Sequence, residues 1–208
     1  MFKRTVTSEK ELRDLMGTPT ERAIKKESPF IDEPSREFIA HAPFLLLATS
    51  DVTGRCDVSP KGDAPGFVHV LDDTHLAIPD RLGNKRLDGL RNMVANPYVA
   101  LLFFIPGRED TLRVNGRATI SRDAALLERL AVSGKRPETA LVVEVEQAFL
   151  HCPRAFKRAG LWDPQRWPDA SGVPSMPRMI WELLPTKPEG QTVEQYERDM
   201  QERVKTLY

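Results

Sequence analysis

The chain has 208 residues, 40% of them hydrophobic, which suits one sizeable core rather than two full domains. Lys+Arg and Asp+Glu balance at 30 each, so the basic excess of a dedicated nucleic-acid binder is absent. The two cysteines, Cys56 and Cys152, are too few for a disulfide scaffold, and neither lies in a CxxC or His/Cys zinc spacing.

The four histidines (His41, His69, His75 and His151) are scattered along the chain. The longest apolar run, 99–105, is far shorter than a membrane span. Met1-Phe2-Lys3-Arg4-Thr5 leads into charged sequence, not into a signal-peptide apolar stretch. The expectation is a cytoplasmic protein with neither a membrane nor a nucleic-acid partner. Seventeen prolines, concentrated in 153–188, predict a loop-rich C-terminal part.

In chain order, Ser8-Glu9-Lys10-Glu11 is a capping-box pattern that opens a helix through Met16, ended by Gly17 and Pro19. Residues 18–33 read as polar and irregular. Residues 34–40 predict a second helix, stopped before Pro43. Phe44-Leu45-Leu46-Leu47-Ala48-Thr49 predicts a buried strand, although period alone does not separate it from helix. Asp51 to Gly54 is a turn, and a strand from Arg55 to about Ser59 returns from it. Pro60-Lys61-Gly62-Asp63 reads as a loop. Residues 67–71 and 75–78 predict a second hairpin around Asp72-Asp73.

Asn84 reads as the N-cap of a helix whose core face is Leu87, Leu90 and Val94, ended by Asn96-Pro97. Tyr98 to Ile105 is an apolar strand turned by Pro106-Gly107. From Leu112 the pattern alternates. Leu112, Val114, Gly116, Ala118 and Ile120 face one way; Thr111, Arg113, Asn115, Arg117 and Thr119 face the other. A short helix over 123–131 and a long strand over 140–149 follow. Residues 151–159 predict a short helix with Pro153 near its start. Residues 164–178 read as irregular. Thr192-Val193-Glu194-Gln195 resembles a second capping box, opening a charged helix to about Leu207. Six or seven strands joined mostly by short turns predict a small antiparallel barrel with peripheral helices.

Three groups of residues attract chemical interest. The first is cationic: Arg55, Lys61, Lys85, Arg86 and Arg113. A helix start favours anions, so Lys85 and Arg86 in a first turn are misplaced unless an anion sits among them. A solvated basic turn is the other reading. The second group, Ser59-Pro60-Lys61-Gly62-Asp63 with Ile78-Pro79-Asp80, offers strand edges for a planar heterocycle, or simply turns. The third is His151-Cys152. No third residue orients that pair, so a structural role outweighs a nucleophilic one. Trp162 is by default a core anchor. No Ser-His-Asp set, Walker loop or GxGxxG fingerprint is present.

Taken in order, five segments resemble the pyridoxamine 5'-phosphate oxidase-like family of FMN-binding split barrels. They are residues 44–49, 57–63, 76–86 and 112–118, and His151-Cys-Pro-Arg-Ala155 with Arg158-Ala-Gly-Leu-Trp162. The likeness spans roughly 34–165 and is nearer to bacterial members outside the vitamin B6 enzymes. It implies a mainly β fold: a six- to seven-stranded antiparallel split β-barrel with Greek-key connections. Residues 1–33 would form an N-terminal helix and extension, and 166–208 a Pro-rich segment and helix packed on the same domain.

The resemblance also implies a homodimer with FMN at the subunit interface. The family's phosphate motif falls on Asn84, Lys85 and Arg86. The strand edge that meets the flavin ring falls on 56–61, including Ser59, Pro60 and Lys61, with Lys61 placed to stabilise the reduced ring. Further contacts fall on Ile78, Pro79 and Thr111. Arg113 would face the phosphate or a substrate anion, and Trp162 would cover the flavin from the other subunit. The family's arginine at the start of the 56–61 segment is Cys56 here; Arg55 is adjacent but directed to the other face. The Arg-rich C-terminal segment that binds substrate in the vitamin B6 enzymes has no counterpart, which argues against pyridoxamine 5'-phosphate as substrate. The reading is an FMN-dependent oxidoreductase for an unidentified small molecule. The alternatives are a non-catalytic flavin carrier or sensor, or a split barrel holding a deazaflavin or haem.

Overall fold

The structure, a computed structural model, describes residues 3–203 and 205. Seven strands form one antiparallel sheet: β1 Phe44–Ser50, β2 Cys56–Gly62, β3 His69–Val70, β4 His75–Pro79, β5 Tyr98–Phe104, β6 Thr111–Ser121 and β7 Ala140–His151. Their order is β2-β1-β5-β6-β7-β4-β3, so the sheet curls into a split barrel with β2 and β3 as its two edges. Leu45, Leu47, Leu76, Ile78, Leu101, Phe103, Leu112, Val114, Leu141 and Val143 are almost wholly buried inside it. This is the period-2 burial that the alternating strands predict.

Eight helices surround the sheet among the described residues: α1 Glu9–Met16, α2 Glu21–Lys25, α3 Glu33–His41, α4 Asp88–Ala95, α5 Ala124–Arg129, α6 Arg154–Ala159, α7 Met176–Leu183 and α8 Val193–Arg203. α3 contributes Phe38 and Ile39 to the core, and α4 contributes Met93. α5 packs Leu127 against Ala77 and Ala140 on the outside of β4 and β7. Both expected caps form. The Ser8 hydroxyl accepts from the Glu11 amide, and Thr192 and Gln195 exchange side-chain bonds with each other's amides. The predicted extension of the last helix to Leu207 includes residues outside the described ones.

Four expectations are corrected. Residues 18–33 include α2, capped by the Thr20 hydroxyl on the Ala23 amide. Residues 164–178 hold a 3₁₀ turn, Pro164–Arg166, and the start of α7, capped by Ser175. β2 does not stop at Ser59 but runs through Pro60, Lys61 and Gly62. Pro60 is tolerated because β2 is an edge strand, where a missing N–H breaks no ladder. Finally, α4 begins at Asp88, not Asn84. Lys85 and Leu87 both adopt left-handed backbone, with φ of 60° and 61°, which no helix can continue through. The helix is therefore rotated from its predicted face. Asn92 and Met93 are buried, while Leu87 and Val94 are 51% and 80% exposed.

Asn92 explains that rotation. Its amide donates to the Thr49 hydroxyl on β1 at 3.0 Å and to the Asp57 carboxylate on β2 at 2.8 Å. Asn92→Leu keeps the volume but strands both acceptors. It is expected to lower stability by about 1–3 kcal/mol, read as a lower urea midpoint at unchanged slope.

One irregularity interrupts the barrel. The β6–β7 register shifts between Asn115 and Gly116, leaving a bulge. A Cβ at Gly116 would lie 2.0 Å from the Glu144 carbonyl oxygen, which is rigid backbone. Gly116→Ala is expected to cost about 1–3 kcal/mol through overpacking, measurable by the same denaturation experiment.

Candidate functional site

Register places the predicted residues on definite faces. Residues directly opposite on paired strands share a face. Lys61, Leu45, Phe103 and Leu112 form one row on the barrel's inner face. Pro60, Leu46, Leu102, Arg113 and Phe149 form the neighbouring row on its outer face. Ser59 and Asp57 share the inner face with Lys61; Cys56 and Val58 share the outer face with Pro60.

Lys61 does not point freely into a pocket. Its Nζ donates to the Asp80 carboxylate at 2.9 Å, and only 23% of either side chain is exposed. Next to it, Arg81 Nε donates to Asp63 at 2.7 Å, while Arg81 also donates to the Leu130 carbonyl. The Asp63 side chain is only 2% exposed. These two ion pairs join the end of β2 to the end of β4, across the seam where the barrel is split. Ile78 and Pro79 lie at the same seam and are buried.

From the seam, residues 81–87 lead to α4. The turn begins with Asp80 bound to Lys61 and ends where α4 holds Asp57 through Asn92. It therefore passes beside the free edge of β2. Asn84, Lys85 and Arg86 are all exposed there. The Asn84 side chain accepts from the Arg86 amide at 3.0 Å. Arg86 Nε donates to Asp88 at 2.8 Å, which raises the guanidinium pKa, and the Asp57 charge adds to that rise. Lys85 makes no ion pair among the described residues. The expected cations are thus present, but on a strained turn rather than in a helical first turn. Left-handed residues within a turn aim successive N–H groups into a concavity, which is itself suited to an anion.

Thr111 and Arg113 lie elsewhere. Thr111 is not on an exposed face as expected; it is 3% exposed and opposite His151 in the β6–β7 register. Arg113 covers the Phe149 ring, 5.1 Å from its centroid, and Lys26 covers the same ring at 5.0 Å. Trp162 Nε1 donates to the Arg108 carbonyl at 2.7 Å, and its ring stacks on Phe156, which reaches Phe104. Those contacts give Trp162 the anchoring role. Arg55 precedes β2, and its amide and carbonyl close the turn on Asp51.

The predicted residues thus fall into two groups within one chain. Ser59, Pro60, Lys61, Ile78, Pro79, Asn84, Lys85 and Arg86 gather along β2 and the seam. Thr111, Arg113 and Trp162 lie at the start of β6 or beyond it. Three strand spacings separate β2 from β6, about 14 Å. Between them the outer face is apolar. Leu46, Ala48, Ala100 and Leu102 are half-buried, while Val58 and Tyr98 are 62% and 57% exposed.

The family model for pyridoxamine 5'-phosphate oxidase matches residues 31–152, well over half of the chain and all seven strands. The chain belongs to that family. No curated protein matches it. Among solved structures it resembles HupZ of Group A Streptococcus, at 21% identity, covering 58% of this chain and 93% of that one, with a TM-score of 0.47. It also resembles an FMN-binding protein of Syntrophomonas wolfei subsp. wolfei at 13% identity, covering 69% and 93%, with a TM-score of 0.45. A third is an F420 reductase at 22% identity, covering 55% and 94%, with a TM-score of 0.39. At these values none bears on ligand or reaction.

Within this pyridoxamine 5'-phosphate oxidase family member, sequence reasoning missed Asn92, Lys26 and the pairing of Asp80 with Lys61. Asn92 fixes the β2 edge from below, yet an Asn inside an amphipathic helix gives no such signal. Asp80 neutralises Lys61, and only the seam brings them together. Lys26 comes from the polar 18–33 segment and reaches β7, where its Nζ donates to the Leu150 carbonyl at 2.7 Å. No described helix is long and apolar enough to cross a membrane.

Proposed function

We propose that the chain is an FMN-binding flavoprotein that works as a homodimer, most specifically an FMN-dependent oxidoreductase for a small molecule. The observation that carries this is the strained cationic turn 84–87 beside the β2 edge, in a chain of this family. Its residues suit a phosphate: an amide side chain, turn N–H groups, a lysine with no ion pair among the described residues and an exposed arginine. Ser59 and the β2 and β4 ends beside the turn offer polar and flat apolar surface for the rest of the cofactor. FMN, when bound, supplies hydride chemistry, and the protein supplies position and electrostatics. Asp80 compensates the Lys61 charge, so Lys61 offers a hydrogen bond more than a net charge.

The homodimer reading is supported by the two separated groups. A partner's β6 corner set against the β2 edge would complete one site from two half-sites, with the apolar outer face between them covered. Such a face, carrying Val58, Tyr98, Leu46 and Leu102, is suited to a second copy of the chain.

The test is optical. Purified protein is expected to show a flavin spectrum, or to acquire one on adding FMN, and acid should release the cofactor. A colourless protein that takes up no FMN would overturn the reading. Bleaching by NADH or NADPH with reoxidation in air separates an enzyme from a carrier.

A further inference from the structure

The corner where β6 begins and β7 ends holds an unsatisfied polar atom close to two cations. His151 Nε2 is shut off from solvent and has no hydrogen-bond partner, alone among the buried side-chain polar atoms of the described residues. A buried imidazole nitrogen left unpaired is costly, and native structures rarely keep one without reason. The His151 ring lies 5.1 Å from the Phe149 ring, centroid to centroid. The Phe149 ring in turn has two cations close to it: Arg113 and Lys26 each approach it at about 5 Å. Neither cation is ion-paired among the described residues. The neighbouring carboxylate, Glu27, is engaged by the Gln147 amide at 2.7 Å. Gln147 in turn accepts from Asn115 at 2.6 Å. Burial holds the His151 pKa below its usual value, and the charges of Arg113 and Lys26 lower it further. Two cations without an ion pair among the described residues, one of them donating to the Leu150 carbonyl, thus gather around Phe149 next to an unsatisfied imidazole opposite Thr111.

We propose that this corner is an oxyanion subsite, in which Arg113, Lys26 and His151 take a carboxylate or phosphate group of the substrate. The three donors come from β6, the segment after α2 and the end of β7, and no two are near neighbours in sequence. In the tautomer that carries its proton on Nε2, His151 would donate to an arriving anion, which would also neutralise the two cations. In naming the ligand a substrate, the proposal rests on the flavoprotein reading, because that reading sets Thr111 against the flavin. The anion site itself stands on the corner's own residues.

The test follows the His151 imidazole resonance by NMR in the full-length protein, assigned with His151→Gln. Sodium phosphate and sodium benzoate are titrated separately at constant ionic strength held with chloride, with and without saturating FMN. The expected result is a saturable shift of the His151 signal by at least one of the two anions, retained when FMN is bound. Phosphate alone would indicate a phosphorylated substrate, and benzoate alone a carboxylate. Lys26→Gln changes an exposed side chain to one whose amide can still donate to the Leu150 carbonyl, and should weaken that binding about tenfold. Arg113→Gln should weaken it at least as much. No saturable shift with either anion overturns the proposal, as does an unchanged affinity in Lys26→Gln and Arg113→Gln. Loss of the response once FMN is bound also overturns it, by giving the corner to the cofactor's own phosphate. The FMN-free titration reads the site even if the chain binds no flavin, so the two readings fail separately.

Discussion

Replacing Lys85 and Arg86 together by alanine is expected to weaken FMN binding by about 100-fold or more. The estimate follows from losing two charge-assisted contacts to one phosphate. The two residues should not contribute equally. Arg86 is already engaged by Asp88 at 2.8 Å, and 74% of its side chain is in water, where screening weakens any ion pair. Lys85 has no counter-ion among the described residues, so a phosphate would supply one. Lys85→Ala alone should therefore cost more affinity than Arg86→Ala alone. Riboflavin, which lacks the phosphate, provides the control: its binding should hardly change in the double variant. Flavin fluorescence titrations at fixed ionic strength measure all four quantities. Equal FMN affinity in the double variant and the parent would remove the phosphate from this turn.

Much of the fold was legible because its signals are local. Residues 44–50 and 98–104 are apolar runs too short for core helices, and 111–121 alternates without a break. The caps at Ser8 and Thr192 rest on residues three apart. What the sequence concealed depends on contacts between distant segments. Nothing around Asn84 signals that Lys85 and Leu87 take left-handed backbone; an amphipathic reading naturally starts the helix at the first good cap. The rotation of α4 follows from Asn92 reaching two strands, a tertiary demand that outweighs the Leu87-Leu90-Val94 pattern. Pro60 looks like a turn until β2 is known to be an edge strand. The resemblance correctly placed the strand edge over 56–61 where local propensity broke it at 59. The chemistry was harder than the fold. Lys61 was legible as a cation near the site, but its neutralisation by Asp80 is not, because their spacing of nineteen residues carries no periodic signal. The His151-Cys152 pair has no third residue to orient it as a nucleophile. Its interest lies instead in Arg113 and Lys26, which only the β6–β7 register and the α2 segment bring to it.

Asp63→Ala is expected to destabilise the protein by about 3–5 kcal/mol, the range for removing one partner of a buried ion pair. Asp63 is nearly sealed from water, and Arg81 is only 17% exposed, so the guanidinium would lose the Asp63 carboxylate without gaining solvent. The Leu130 carbonyl still accepts from Arg81 but carries no full charge. Because the pair is shielded, added salt should change the loss little, unlike the exposed Arg86–Asp88 pair. Asp63→Asn, which keeps an acceptor oxygen at the same place, should cost less than alanine; a reversed order would mean that the contact, not the charge, is unimportant here. The effect should extend beyond stability. Asp63 and Arg81, with Lys61 and Asp80, hold the end of β2 against the end of β4, and the 81–87 turn starts from that junction. Loosening the seam removes the fixed origin of the turn that carries Lys85 and Arg86. FMN affinity should therefore fall in Asp63→Ala even at temperatures where the chain stays folded, while Gly116→Ala, far from the seam at the β6–β7 bulge, should lower stability without a matching loss of flavin affinity. Urea midpoints and flavin titrations on the same two variants separate these outcomes. Parallel losses in both would mean that flavin binding reports general stability rather than the geometry of the seam.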